Sequence, residues 1–171
     1  MALLTVNFCE EEKGALKSTE WSSPQSLYRA AMGHVSMSIR EGYFLEAITL
    51  CESMLSDRLE ALFDAFEPGH EKAGQFQPLG PNIKAFVKLA KGDSEAVELA
   101  ARLDAWREAR NQALHEMVKL KEGENDDWPK RRRKVASVAR EGKALVVKVS
   151  GFVRRRKKHL KDKQSSTGQS A

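Results

Sequence analysis

Residues 44–66, "FLEAITLCESMLSDRLEALFDAF", decide the fold class. Their apolar side chains Phe44, Ile48, Cys51, Leu55, Leu59, Leu62 and Phe66 recur in steps of 4-3-4-4-3-4. That spacing lays one unbroken stripe along an α-helix and is incompatible with the alternation of a half-buried strand. The "EPGH" that follows ends the helix, because proline and glycine break it. Upstream, Tyr28, Met32, Val35 and Ile39 step 4-3-4, a shorter amphipathic helix beginning near Ser26 and interrupted at Gly42. Downstream, Gly69, Gly74, Pro78, Gly80 and Pro81 predict a loop over 67–82. Ile83, Phe86, Val87 and Ala90 then mark one face of a third helix that stops at Gly92. Asp93 or Ser94 caps a fourth, which runs to about Lys121 with Gly123 just beyond. Strand patterns are lacking. The expectation is an all-α protein whose body, residues 26–124, is an antiparallel four-helix bundle behind a polar segment, 1–25.

Charge divides the chain. Residues 130–163 hold 15 of the 29 Lys and Arg against only Glu141 and Asp162, a net of +13. The rest holds 14 basic and 22 acidic residues, a net of −8. The basic segment is concentrated in "KRRRK" and "RRRKK", with Val135, Val138, Leu145, Val149, Phe152 and Val153 at roughly helical spacing. It reads as a helical arm that docks its valine face on the body and sets both clusters beside a functional cleft. The body without it is then expected to keep slow activity. Gly142 and Gly151 weaken the arm helix by about 1 kcal/mol each relative to alanine, and residues 164–171 are expected to be disordered. An acidic body with a basic arm points to a polyanion, and nucleic acid is the obvious one. The other reading is an arm that folds back to neutralise its own acidic body, or that meets an acidic protein.

Other classes are excluded by what the sequence lacks. No apolar run reaches the roughly 20 residues of a membrane span, and "MALLTVNFCEEEKG" turns acidic too soon for a signal peptide. The expectation is a soluble, cytoplasmic protein with no membrane partner. Cys9 and Cys51 and the four scattered histidines show no metal-ligand spacing, so neither metal nor cofactor is expected. His34, on the first helix, reads as a flank or core histidine, and His70, in a glycine-rich loop, and His159, in the basic arm, have no partners in sequence.

The fourth helix contains an anomaly. On a wheel, Leu99, Leu103, Trp106, Ala113, Met117 and Leu120 of the stretch ending "AWREARNQALHEMVKL" cluster on one side, and Arg110 falls inside that cluster. Trp106 reads as core rather than as a stacking platform. A guanidinium stays charged and is rarely buried without a partner, so Arg110 marks either an ion pair, with Glu52 or Glu60, or a cleft. Glu52 reads either as a residue that orients Arg110 or as a plain solvated glutamate. Asn111 and His115 lie together on the flank, four residues and one turn apart. Histidine moves protons near neutral pH. Arginine holds phosphate bidentately, and asparagine can orient either partner. This is a minimal metal-free kit for cleaving RNA through its own 2′-hydroxyl. Arg110 and His115 are nonetheless about 140° apart around the helix, too divergent for one phosphate. Two such helices across a two-fold axis would pool both sets, so a homodimer is expected.

"ARNQALHE" resembles the R-N-x-x-x-H signature of the HEPN superfamily, with Arg110, Asn111 and His115 in the motif positions. "REGYFLEAITLCESMLSDRLEALF" is similar to the second helix of that family, and the resemblance covers about residues 26–121. It implies an all-α bundle that dimerises with the motif helices lining a shared cleft. Members with an intact motif are commonly metal-independent endoribonucleases, often toxins or antiviral effectors held by a cognate antitoxin or inhibitor protein. Members without it serve as RNA-binding, dimerising or adaptor modules. One subgroup, silenced by a nucleotidyltransferase, carries a tyrosine two residues after the histidine. Met117 stands there, so that mode of control is not expected. In this reading Arg110, Asn111 and His115 are catalytic, and Arg131, Arg132, Arg133, Arg154, Arg155 and Arg156 hold RNA.

Overall fold

The computed structural model describes residues 23–66, 77–116 and 128–167. Among them lie five helices and no strand: α1 (Pro24–Glu41), α2 (Phe44–Phe66), α3 (Leu79–Leu89), α4 (Ser94–Glu116) and α5 (Trp128–Thr167). The all-α class stands.

Local chemistry explains the ends. The Ser23 hydroxyl accepts the Ser26 N–H at 3.1 Å and Pro24 fills the first position, where its missing N–H costs nothing. The helix therefore starts at Pro24, slightly ahead of the expected start near Ser26. Gly42 closes α1 in the left-handed region, φ +87°, with its N–H on the Ser38 carbonyl. α3 begins at Leu79, so the expected loop is shorter at its end than 67–82; residues 67–76 lie outside those described. Proline is tolerated in a first helical turn, and burial of Leu79 rewards the extra turn. Asp93 is the cap of α4, its carboxylate accepting the Ala96 N–H at 3.2 Å. The expected continuation of α4 to Lys121, including Met117, lies outside the described residues.

The largest departure concerns α5. The valine face of the basic segment packs on the other helices as expected, but inside one common core rather than on the outside of a separate body. Val135, Ala139, Leu145, Val146, Val149, Phe152 and Val153 are all buried, in one core with Val35 of α1, Leu55 and Leu59 of α2, Phe86 of α3 and Trp106 of α4. Among the described residues no boundary of the core separates the first four helices from α5. Residues 164–167, expected to be disordered, continue the helix.

Specific contacts orient the bundle around α5. Tyr28 meets Val146 and Ser150 while Gly42 lies against Arg132, so α1 runs antiparallel to α5. The Trp106 indole donates to the Val138 carbonyl at 2.9 Å, and Arg156 pairs with Asp93, so α4 also runs antiparallel. α2 runs parallel, with Arg132 over the Phe44 ring at 5.5 Å near its start. Phe86 meets Phe152 edge-on, ring centres 5.6 Å apart. The end of α4, the α1–α2 turn and the start of α5 therefore share one end of the molecule.

Candidate active site on the fourth helix

Arg110 settles on a partner across the helix interface. Its guanidinium donates to the Glu52 carboxylate of α2, with the two side chains only 16% and 20% exposed. Of the two glutamates that α2 offered, Glu60 is engaged elsewhere, accepting the Asn82 amide at 3.1 Å. The helix spacing that puts Arg110 among Leu103, Trp106 and Ala113 also turns it toward α2. Its Nε is buried without a partner among the described residues, while Nη2 carries the pair. A charge so placed is held firmly, because moving it would strand Glu52 as well.

Asn111 is half-buried and His115 exposed. Neither makes a hydrogen bond or ion pair among the described residues. Within one chain the structure thus joins Glu52 to Arg110, and leaves the amide and imidazole open to a substrate, a second copy or solvent. His34, expected on a flank or in the core, sits at the surface with Nε2 2.6 Å from the Glu46 carboxylate.

The six arm arginines separate into two groups. Arg132 and Arg133 are exposed and Arg131 half-buried at the start of α5, the end that also holds the close of α4. Beside them a concavity of about 310 Å³ is lined by Tyr43, Phe44, Trp128 and Arg132, with Tyr43 63% and Trp128 58% exposed. The second group lies about 35 Å further along the helix, at 1.5 Å per residue. There Arg155 pairs with Glu95, and Arg156 pairs with Asp93 while its guanidinium sits 5.1 Å above the Phe152 ring. The expectation that both clusters flank the motif is therefore corrected. A straight helix cannot bring its two ends to one cleft, and two of the distal arginines neutralise the acidic start of α4. Arg154 alone of that triplet faces an unpaired groove.

Cys51 packs against this framework in the core. Burial pushes its thiol up to about 12 from an ordinary 9.0, against a weaker downward pull from Lys143. It is a structural thiol, not a nucleophile. Among the described residues no three His, Cys, Asp or Glu side chains gather in metal-binding geometry, and no helix is long and apolar enough to cross a membrane.

Compared with protein-family models, with curated proteins and with solved structures, the chain matches none.

Some residues around these sites carried little signal in sequence. Tyr28 and Arg58 stand on separate helices and meet only through packing, 4.9 Å from guanidinium carbon to ring centre. Lys157, Lys158 and Lys161 were countable as charge, but their shared groove depends on α1 lying beside them.

Proposed function

We propose that the chain is a metal-independent endoribonuclease of HEPN type that acts as a homodimer. The observation that carries this reading is the Arg110–Glu52 pair, because it holds a permanent cation in place one residue from Asn111 and five from His115. A preorganised cation costs no reorganisation when charge develops on a phosphorane. His115 removes the proton of the RNA 2′-hydroxyl as the 2′-oxygen bonds to phosphorus. The bond from phosphorus to the 5′-oxygen breaks, and the leaving oxygen takes a proton from the second copy's imidazolium. Arg110 neutralises the non-bridging oxygens and Asn111 positions them. The products are a 2′,3′-cyclic phosphate and a 5′-hydroxyl. In this reading Arg131, Arg132 and Arg133 hold the flanking backbone, and the biological role is that of a toxin or antiviral effector restrained by an inhibitor protein.

A second reading is an RNA-binding or dimerising adaptor that does not cleave. It is favoured by the same ion pair, since Glu52 satisfies Arg110 without any phosphate. Incubating pure protein with total RNA in excess chelator separates the two. The nuclease reading expects fragments ending in cyclic phosphate. Intact RNA, or cleavage seen only after magnesium is added, overturns it.

A further inference from the structure

At the end of the molecule remote from Arg110 and His115, α1, α2 and α5 enclose a groove of about 690 Å³. Its charged lining is of one sign: Arg58, Arg154, Lys157, Lys158 and Lys161, with no carboxylate among the lining residues. Arg58 is ion-paired with its neighbour Asp57, its Nε donating to the carboxylate at 2.9 Å. Among the described residues, no carboxylate pairs with Arg154, Lys157, Lys158 or Lys161. This contrasts with Arg155 and Arg156 on the adjoining face of the same helix, both of which are paired. In the groove α5 therefore presents four adjacent cations, Arg154, Lys157, Lys158 and Lys161, without a counter-charge among the described residues.

The floor is ordered. The Tyr28 hydroxyl lies 2.5 Å from the Ser150 hydroxyl and 3.4 Å from the Val146 carbonyl, which fixes the ring. The Arg58 guanidinium sits over that ring, 4.9 Å from its centre, and Met32 completes the apolar side. The cations at 154, 157, 158 and 161 follow one face of α5 over about 10 Å of helix axis. That is longer than one phosphate covers and suits a run of them.

The geometry points to a second binding site, one that holds the phosphate backbone of a single-stranded nucleic acid about 35 Å along α5 from the first basic cluster. A planar guanidinium over an aromatic ring offers a surface for an unpaired base, and a single strand supplies such bases along with its run of phosphates. A membrane is flat and would meet the rim of a concave groove rather than its lining. The site is independent of any chemistry at His115. It also gives the distal cluster a purpose that the motif cannot, because the helix keeps the two ends apart.

The test uses the full chain and a fluorescent 2′-O-methyl 20-mer, which lacks a free 2′-hydroxyl and reports binding alone. Titrations at several salt concentrations compare wild type with the triple variant Lys157→Gln, Lys158→Gln, Lys161→Gln. A control removes the same charge from the exposed Lys84, Lys88 and Lys91, with melting curves confirming that both fold. Each phosphate neutralised on a single strand contributes about 0.7 to the slope of log affinity against log salt. The groove variant is expected to lose about 2 in slope and tenfold or more in affinity, and the control less than threefold. Equal losses in the two variants would reduce the effect to net charge and overturn the site. So would phosphatidylserine vesicles or polyglutamate that bind wild type as tightly as the oligonucleotide and depend on the same three lysines. Failure to cleave any RNA would sink the nuclease reading and leave this outcome untouched.

Discussion

The indole of Trp106 lies directly against the bare backbone of Gly142. A Cβ built on that glycine would come within 2.7 Å of Trp106 Cζ2 and 3.1 Å of its Nε1. The same indole N–H donates to the Val138 carbonyl one turn earlier on α5, so the ring is fixed and cannot swing aside cheaply. Helix propensity alone says that Gly142→Ala stabilises an isolated helix by about 1 kcal/mol. Packing says the reverse, with overfilling costing about 1–3 kcal/mol. We expect Gly142→Ala to lower the urea midpoint, and Trp106→Phe in the same chain to recover part of the loss. A more stable Gly142→Ala variant would show that the α4–α5 interface is loose enough to accept a methyl group.

That contact illustrates which parts of the fold are legible in sequence. α2 is, because Ile48, Cys51, Leu55 and Leu59 form one stripe and its charges stay off it. α5 reads as a helix too, but as an appendage, because the count of Lys and Arg overwhelms Val135, Val149 and Phe152. The charges of "KRRRK" and "RRRKK" occupy its two ends while the core contact occupies its middle, and composition averages over both. Arg110 is legible as an anomaly on an apolar seam. Its partner is not, since Glu52 and Glu60 are two turns apart on α2 and only the axial offset between α2 and α4 chooses between them. The distal groove is the least legible, because it joins α1, α2 and α5 at positions far apart in the chain.

Separating the structural from the chemical role of Arg110 requires two kinds of variant. Glu52→Gln leaves a largely buried cation without its counter-charge and should cost about 2 kcal/mol. Replacing the pair with apolar groups, Glu52→Leu with Arg110→Met, should return stability close to wild type, because both desolvated charges are gone. RNA cleavage should be lost in the double variant, which lacks Arg110. If the apolar pair restores stability and cleavage together, the arginine is only a packing element.

His115 makes the converse prediction. It is exposed and unpaired among the described residues, so His115→Ala should leave melting unchanged within about 0.5 kcal/mol. Cleavage should fall by about a hundredfold or more, as for loss of a general acid–base. Mixing Arg110→Ala with His115→Ala chains should recover activity if sites are pooled across a dimer. Sedimentation at micromolar concentration checks the dimer itself. An active monomer would remove the pooled site.

Cys51 links stability to pH in a known direction. Its folded pKa of about 12 lies above the ordinary 9.0 expected when unfolded. The stabilisation is therefore full below pH 9 and lost as pH rises, by about 1.4 kcal/mol one unit above the unfolded pKa. Comparing wild type with Cys51→Val at pH 8 and pH 10 isolates this contribution from the other titrating groups. In a Cys9→Ser background, Ellman's reagent should leave the native thiol untouched at pH 8 and label it in urea. Fast native labelling would place Cys51 in a cleft instead of the core.

Truncating α5 distinguishes a core helix from a dispensable arm. Among the described residues the last buried side chain on it is Val153, and Arg156 pairs with Asp93 at the cap of α4. Ending the chain after Lys157 removes only residues beyond those contacts, and the fold should persist with nearly the same urea midpoint. Ending it after Pro129 removes Leu145, Val146, Val149 and Phe152 together and uncovers Leu55, Leu59 and Trp106, which share that core. Single large-to-small core changes already cost about 2–5 kcal/mol, against a total stability of about 5–15 kcal/mol for a domain. The shorter chain should therefore fail to fold cooperatively, by circular dichroism and by urea titration. It should not retain the slow RNA cleavage expected of an intact body lacking an arm. A cooperative transition near the wild-type midpoint for residues 1–129 would return α5 to the status of an appendage, and with it the idea that all six arginines act beside one cleft.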